Sequence, residues 1–160
     1  MIRHFIRSHH FRRFAFRQGG RRLVFWAGAL AVGAAAILFA KGANGALWIF
    51  HYAYHLSPFL PLLRSPLALV AALTITRRFL PGAQGSGIPQ TIAAIRRPEL
   101  ADSGLLSLRI ALGKIMMTLL GLVGGASIGR EGPTVQVGAA IMLALGRALR
   151  LPQRELVVRI

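Results

Sequence analysis

Leu23-Val24-Phe25-Trp26-Ala27-Gly28-Ala29-Leu30, continuing to Ala40, is a run of 18 residues without a charge. About 20 apolar residues cross the hydrocarbon core of a bilayer, so the run predicts a membrane-spanning helix. Lys41 punctuates it, and residues 42–63 continue uncharged with Trp48, Tyr52 and Tyr54, aromatics that favour the lipid–water interface. The expected helix is long and tilted and emerges near residues 51–58, opposite its arginine-rich start. Pro58, Pro61 and Pro66 read as a turn. Residues 66–76 form a second apolar run closed by Arg77 and Arg78. Leu62 and Leu63 are drawn into that run, with Arg64 snorkelling outward.

Upstream, the first 22 residues carry seven arginines interleaved with Phe5, Phe11, Phe14 and Phe16. A secretory leader also begins basic, but its apolar region is about 7–15 residues long and ends at a small-residue cleavage site. Residues 23–40 exceed that length. The arm 1–22 therefore reads as a cytoplasmic amphipathic segment held at the lipid surface. His4, His9 and His10 lie in it without a spaced partner set for a metal.

Composition excludes an ordinary soluble domain. Over 160 residues, 54% are hydrophobic and 15% charged, and the acidic residues are Glu99, Asp102, Glu131 and Glu155. Soluble domains carry about a quarter charged residues. The net charge of +16 raises nucleic acid as a partner. The basic residues, however, cluster between apolar stretches, with no groove-reading helix or aromatic RNA platform among them. That is the pattern of a membrane protein with basic cytoplasmic ends. There is no cysteine, so thiolate metal sites and disulfides are excluded.

Downstream the apolar segments shorten: 88–95, 115–129 and 132–146. None comfortably crosses about 30 Å as a straight helix, so broken helices ending inside the membrane are expected. Irregular backbone at that depth is tolerated only where it is buried in protein or lines a cavity. Gly121, Gly125 and Gly129 recur every four residues and predict a close-packing helix face.

Two breaks carry chemistry. In Gly85-Ser86-Gly87-Ile88-Pro89, the proline suits a first helical turn and Ser86 stands at or near the N-cap. A helix start attracts anions through its free amides and the positive end of its dipole. An ordinary capped turn has the same composition. In Gly129-Arg130-Glu131-Gly132-Pro133, glycine again precedes proline at the head of an apolar helix. Glu131 is the acidic residue set inside an apolar segment, a costly placement that marks a functional candidate. The competing reading is a structural ion pair with Arg130. A carboxylate at a helix start occupies the kind of place a chloride ion would take, so Glu131 could plug an anion path and swing aside. Helix dipoles hold an anion weakly enough to release it.

These two motifs, with Gly113-Lys114-Ile115 between them and Pro133-Thr134-Val135-Gln136-Val137-Gly138-Ala139 after them, resemble the ClC family of chloride channels and chloride/proton exchangers. The resemblance covers roughly residues 20–160 and implies an all-α, polytopic membrane fold of broken and tilted helices. Most of the first of two inverted repeats would be present, as an incomplete piece or an early-terminated reading frame. It divides the chain into the arm 1–22 and a partial transmembrane domain 23–160. It implies chloride binding by Ser86, Gly87, Ile88, Arg130 and Gly132, with Gly85, Pro89, Gly129 and Pro133 shaping the motifs. Glu131 would be the gate and, in exchangers, the outer proton acceptor. Lys114 would add positive potential without direct contact. Serine at position 86 resembles chloride-selective members, whereas nitrate-preferring members tend to have proline there. Gln90 departs from the acidic residue common at its position.

The resulting expectation is voltage-gated-type chloride conduction or chloride/proton antiport, normally by a homodimer, in an inner membrane with a cytoplasmic N-terminus. Lipid and chloride are the expected partners, with no nucleic acid, cofactor or enzymatic chemistry. A non-transporting membrane piece that needs its missing half is the alternative.

Overall fold

The computed structural model describes residues 3–97 and 104–148, with side chains from residue 25 onward. Among the described residues five α-helices follow one another: α1 (Arg3–Leu56), α2 (Leu60–Phe79), α3 (Ile88–Arg96), α4 (Leu108–Val123) and α5 (Glu131–Ala148), with a 3-10 turn at Pro81–Ala83 before α3. No strand occurs among the described residues. The all-α expectation holds. The backbone of α1 runs unbroken past Lys41, and Leu62 and Leu63 do belong to α2.

The packing is inverted relative to a protein that folds in water. On α1 the inward stripe is Gly28, Phe39, Ala43, Ala46 and Ala53, spaced three, four or seven apart or near multiples of that spacing. Trp26, Leu30, Ile37, Leu38, Trp48 and Tyr52 point outward, and α2 likewise exposes Leu62, Leu63, Leu67 and Val70. In water this area of apolar surface would bind or aggregate. In lipid it is solvated, and helices associate instead through small residues that let backbones approach. α1 supplies such residues to α4 and α5, against which it packs. Ala43 and Ala46 meet Leu122, while Ala35 backs the cluster of Ala111, Val137 and Ala140.

Lengths agree with a membrane frame. Two stretches, Phe25–Leu56 and Leu60–Phe79, are long and apolar enough to cross a bilayer. Trp26 and Trp48 lie about 33 Å apart along α1 at 1.5 Å per residue, close to the thickness of a hydrocarbon core of about 30 Å. By the same rise, α4 (16 residues) reaches only about 24 Å, short of the hydrocarbon thickness.

Two expectations fail. Pro66 is inside α2, not in a turn. A membrane helix tolerates an interior proline because neighbouring groups re-satisfy the freed carbonyl. The glycines at 121, 125 and 129 do not share a helix face either, since α4 stops at Val123. Gly125 has φ +84° and forms the left-handed cap, with Gly125 N–H donating to Leu122 O and Ala126 N–H to Gly121 O. Residues 98–103 and 149–160 of the expected transmembrane part lie outside the described residues.

Single-tryptophan variants, Trp26→Phe and Trp48→Phe, test the frame by fluorescence quenching in brominated lipid. Each remaining tryptophan is expected to be quenched by bromine near the headgroups. Strong quenching by bromine at the chain ends would contradict this placement.

Candidate functional site

The chain between α2 and α3 is built to turn sharply. Leu80 ends α2, the Pro81–Ala83 turn follows, and Gln84 is extended. Gly85 and Gly87 then adopt φ of +69° and +98°, which a side chain would strain. Gly87 is the N-cap of α3, so Ser86 stands one residue before it, with its hydroxyl accepting from the Ile88 N–H at 3.4 Å. Pro89 contributes no N–H in the first turn.

The second break starts where the Schellman cap at Gly125 releases the chain from α4. Residues 126–130 are irregular, and α5 opens at Glu131. The Arg130 carbonyl accepts from both the N–H and the hydroxyl of Thr134, at 3.2 and 2.7 Å, which places Arg130 at the N-cap. The first amides of a helix have no intrahelical acceptor, and here they belong to Glu131 and Gly132.

Glycine brings the two helix starts together. A Cβ added to Gly132 would lie 2.5 Å from the Ser86 carbonyl oxygen. One on Gly87 would lie 2.8 Å from the Gln136 side chain and 3.0 Å from the Gly132 carbonyl oxygen. The backbones thus meet directly, at residues separated by about 45 positions in sequence.

Beside this contact is an open cleft of about 390 Å³. Gly85, Ser86 and Ile88 line it from the first break, and Gly129, Glu131, Gly132 and Pro133 from the second. Lys114 and Thr118 of α4 complete it with Met117, Ala83 and Ile128. Most of the residues singled out in sequence therefore share one cavity wall. Gly87, Pro89 and Arg130 do not line it. Gly87 serves the helix contact instead. The Glu131 side chain is exposed, and no ion pair with Arg130 is found among the described residues.

Lys114 is held against the first break. It is only 3% exposed, and its ammonium donates to the carbonyls of Ala83 and Gly85 at 2.6 Å and more weakly to that of Gln84 at 3.4 Å. Its role includes direct contact with the loop that carries Ser86. Gln136 plays a similar part from α5. Fully buried, its amide nitrogen donates to Gly82 O and Leu105 O, both at 3.1 Å. Gln90 donates to Gln84 O, the role its amide takes here. Gln136 went unassigned in sequence, although an amide in the middle of an apolar helix was a visible signal. Thr118, which donates to Lys114 O at 2.8 Å, carried none.

Residues 67–159 match the family described as voltage gated chloride channel, a span that includes both helix breaks. The chain belongs to the ClC chloride channel family. Chloride channel protein CLC-d of Arabidopsis thaliana is 37% identical over 73 residues, which is 46% of this chain and 9% of that protein. The chain thus matches about a tenth of the length of that ClC relative. No solved structure matches it.

Packing at the helix contact generates a test. Gly87→Ala and Gly132→Ala should each cost about 1–3 kcal/mol of stability by overpacking. Gly129→Ala meets no atom within 4 Å and should change stability by less than about 0.5 kcal/mol. Unfolding in mixed micelles checks all three. Equal effects at 87, 132 and 129 would contradict the contact.

Proposed function

We propose that the protein takes part in moving chloride, or an anion of like size and charge, across a membrane. The meeting of two helix starts at one cleft carries this reading. Each start offers amides without intrahelical acceptors and the positive end of a dipole, the arrangement that favours an anion without a full counter-charge. In this reading the Ser86 hydroxyl, the Ile88 amide and the Gly132 amide hold the ion. Gly87 and Arg130 set the ends of the two helices. Gly85, Pro89, Gly129 and Pro133 shape the backbone.

Glu131, at the head of α5 and on the cleft, acts as the gate. Its carboxylate competes with the anion for the same amides and moves aside to let it pass. The exposure of its side chain supports this reading, since it leaves the carboxylate room to move. The arm 1–22 rests on lipid at the cytoplasmic face of an inner membrane, residues 23–160 supply the transmembrane part, and two copies pair.

The openness of the cleft favours a second reading. The two helix starts then form one wall of the pathway, and further polypeptide supplies the other. Chloride efflux from vesicles reconstituted with the chain separates the two. Under the first reading the wild type conducts, Glu131→Gln raises efflux, and Ser86→Pro shifts preference toward nitrate. Efflux unaltered by Glu131→Gln in a conducting sample would remove the gate. Absent efflux in every variant would favour the second reading.

A further inference from the structure

Four successive carbonyls, those of Gly82, Ala83, Gln84 and Gly85, each accept a hydrogen bond from a side chain: Gln136 takes the first, Lys114 the second and fourth, and Gln90 the third, to which Lys114 adds a longer bond. These carbonyls immediately precede Ser86. Their oxygens are the negative ends of the loop's dipoles, and an anion at Ser86 would be repelled by any of them left free. An unpaired buried carbonyl is also costly in its own right.

We propose that Lys114 and Gln136 are positioning residues for anion binding: from two different helices they hold the 82–85 loop, neutralise its carbonyls and fix Ser86 at the head of α3. This rests on the anion reading given above. Lys114 reaches the loop from α4, about 30 residues downstream, and carries a full charge among carbonyls. No carboxylate pairs with it among the described residues. Its charge is therefore spent chiefly on the loop dipoles. Gln136 reaches the loop from one turn below Gly132 and also holds Leu105 O, before α4. The head of α5, the start of α4 and the approach to α3 are thereby tied at one amide. Gly87 lies close to the same side chain, with room for no Cβ between them.

The strap acts through geometry as well as charge, and this separates it from a simple source of positive potential. Gln136 has no charge, so an effect of its removal on anion preference belongs to the strap alone. Lys114→Gln keeps N–H donors and loses the charge.

The test uses the whole chain in lipid nanodiscs and two readouts. The first is hydrogen exchange of residues 82–91. Lys114→Met and Gln136→Met should each raise it by about tenfold, the worth of a lost hydrogen bond. The second is the ratio of chloride to nitrate affinity by titration calorimetry, a ratio that a general loss of folded protein leaves unchanged. Both variants should lower it, and the double variant should do little more than either single one, because the two share the loop. Lys114→Gln should retain part of the ratio that Lys114→Met loses. Unchanged exchange overturns the proposal, as does raised exchange with an unchanged ratio. Equal losses in Lys114→Gln and Lys114→Met, with Gln136→Met silent, would assign the effect to charge and overturn it too. If the wild-type chain binds neither anion, the anion reading fails, and exchange of the loop still decides whether the strap exists.

Discussion

A helix that begins within a membrane protein leaves its first amides without acceptors, and lipid offers none in place of water. Each such group costs free energy unless something else accepts from it. α3 and α5 both begin this way, close to each other and beside the same cleft. Much of the remaining architecture serves that arrangement. Prolines at 89 and 133 remove two of the orphan donors, and the Ser86 hydroxyl accepts a long bond of 3.4 Å from the Ile88 N–H, weak enough to be shared. The constraint that makes these helix starts expensive is what makes them suited to holding a mobile anion.

Close approach is the second requirement, and the chain meets it by removing side chains. Gly87 and Gly132 let two backbones touch, and Gly113 and Gly124 make room for the side chains of Leu80 and Ala68. α1 contributes an alanine stripe and keeps its large residues for lipid. A core made of alanine and glycine would bury too little apolar surface to hold a protein in water. Within a bilayer, where the outer leucines and tryptophans are already solvated, dispersion between closely packed backbones is the force available. Lys114 and Gln136 hold the 82–85 loop beside the cleft.

What could be read from sequence follows from how local each feature is. Charge-free length identified the two long spans, and the paired glycine–proline breaks identified the helix starts at 88 and 131 because both signals sit within a few adjacent residues. Pro66 and the glycines at 121, 125 and 129 misled for the same reason. Proline signals a break only where water or a turn can take the freed carbonyl. A glycine repeat signals a face only while the helix continues, and α4 ends two residues before Gly125. The contacts of Lys114 and Gln136 were not legible, since they join groups about 30 and 54 residues apart whose meeting depends on the packing of three helices. Gly87 and Gly132 were visible as motif glycines, but that they serve each other emerges only when the helices are set side by side.

The central claim is that the junction of the two helix starts is an anion site. Bromide can replace chloride and is located by anomalous scattering, so crystals of the protein grown from lipid and soaked in bromide give the most direct measurement. The account predicts an anomalous peak in the cleft, within hydrogen-bonding distance of the Ser86 hydroxyl and the amides at the head of α5. An empty cleft at bromide concentrations that fill other surface sites would contradict it.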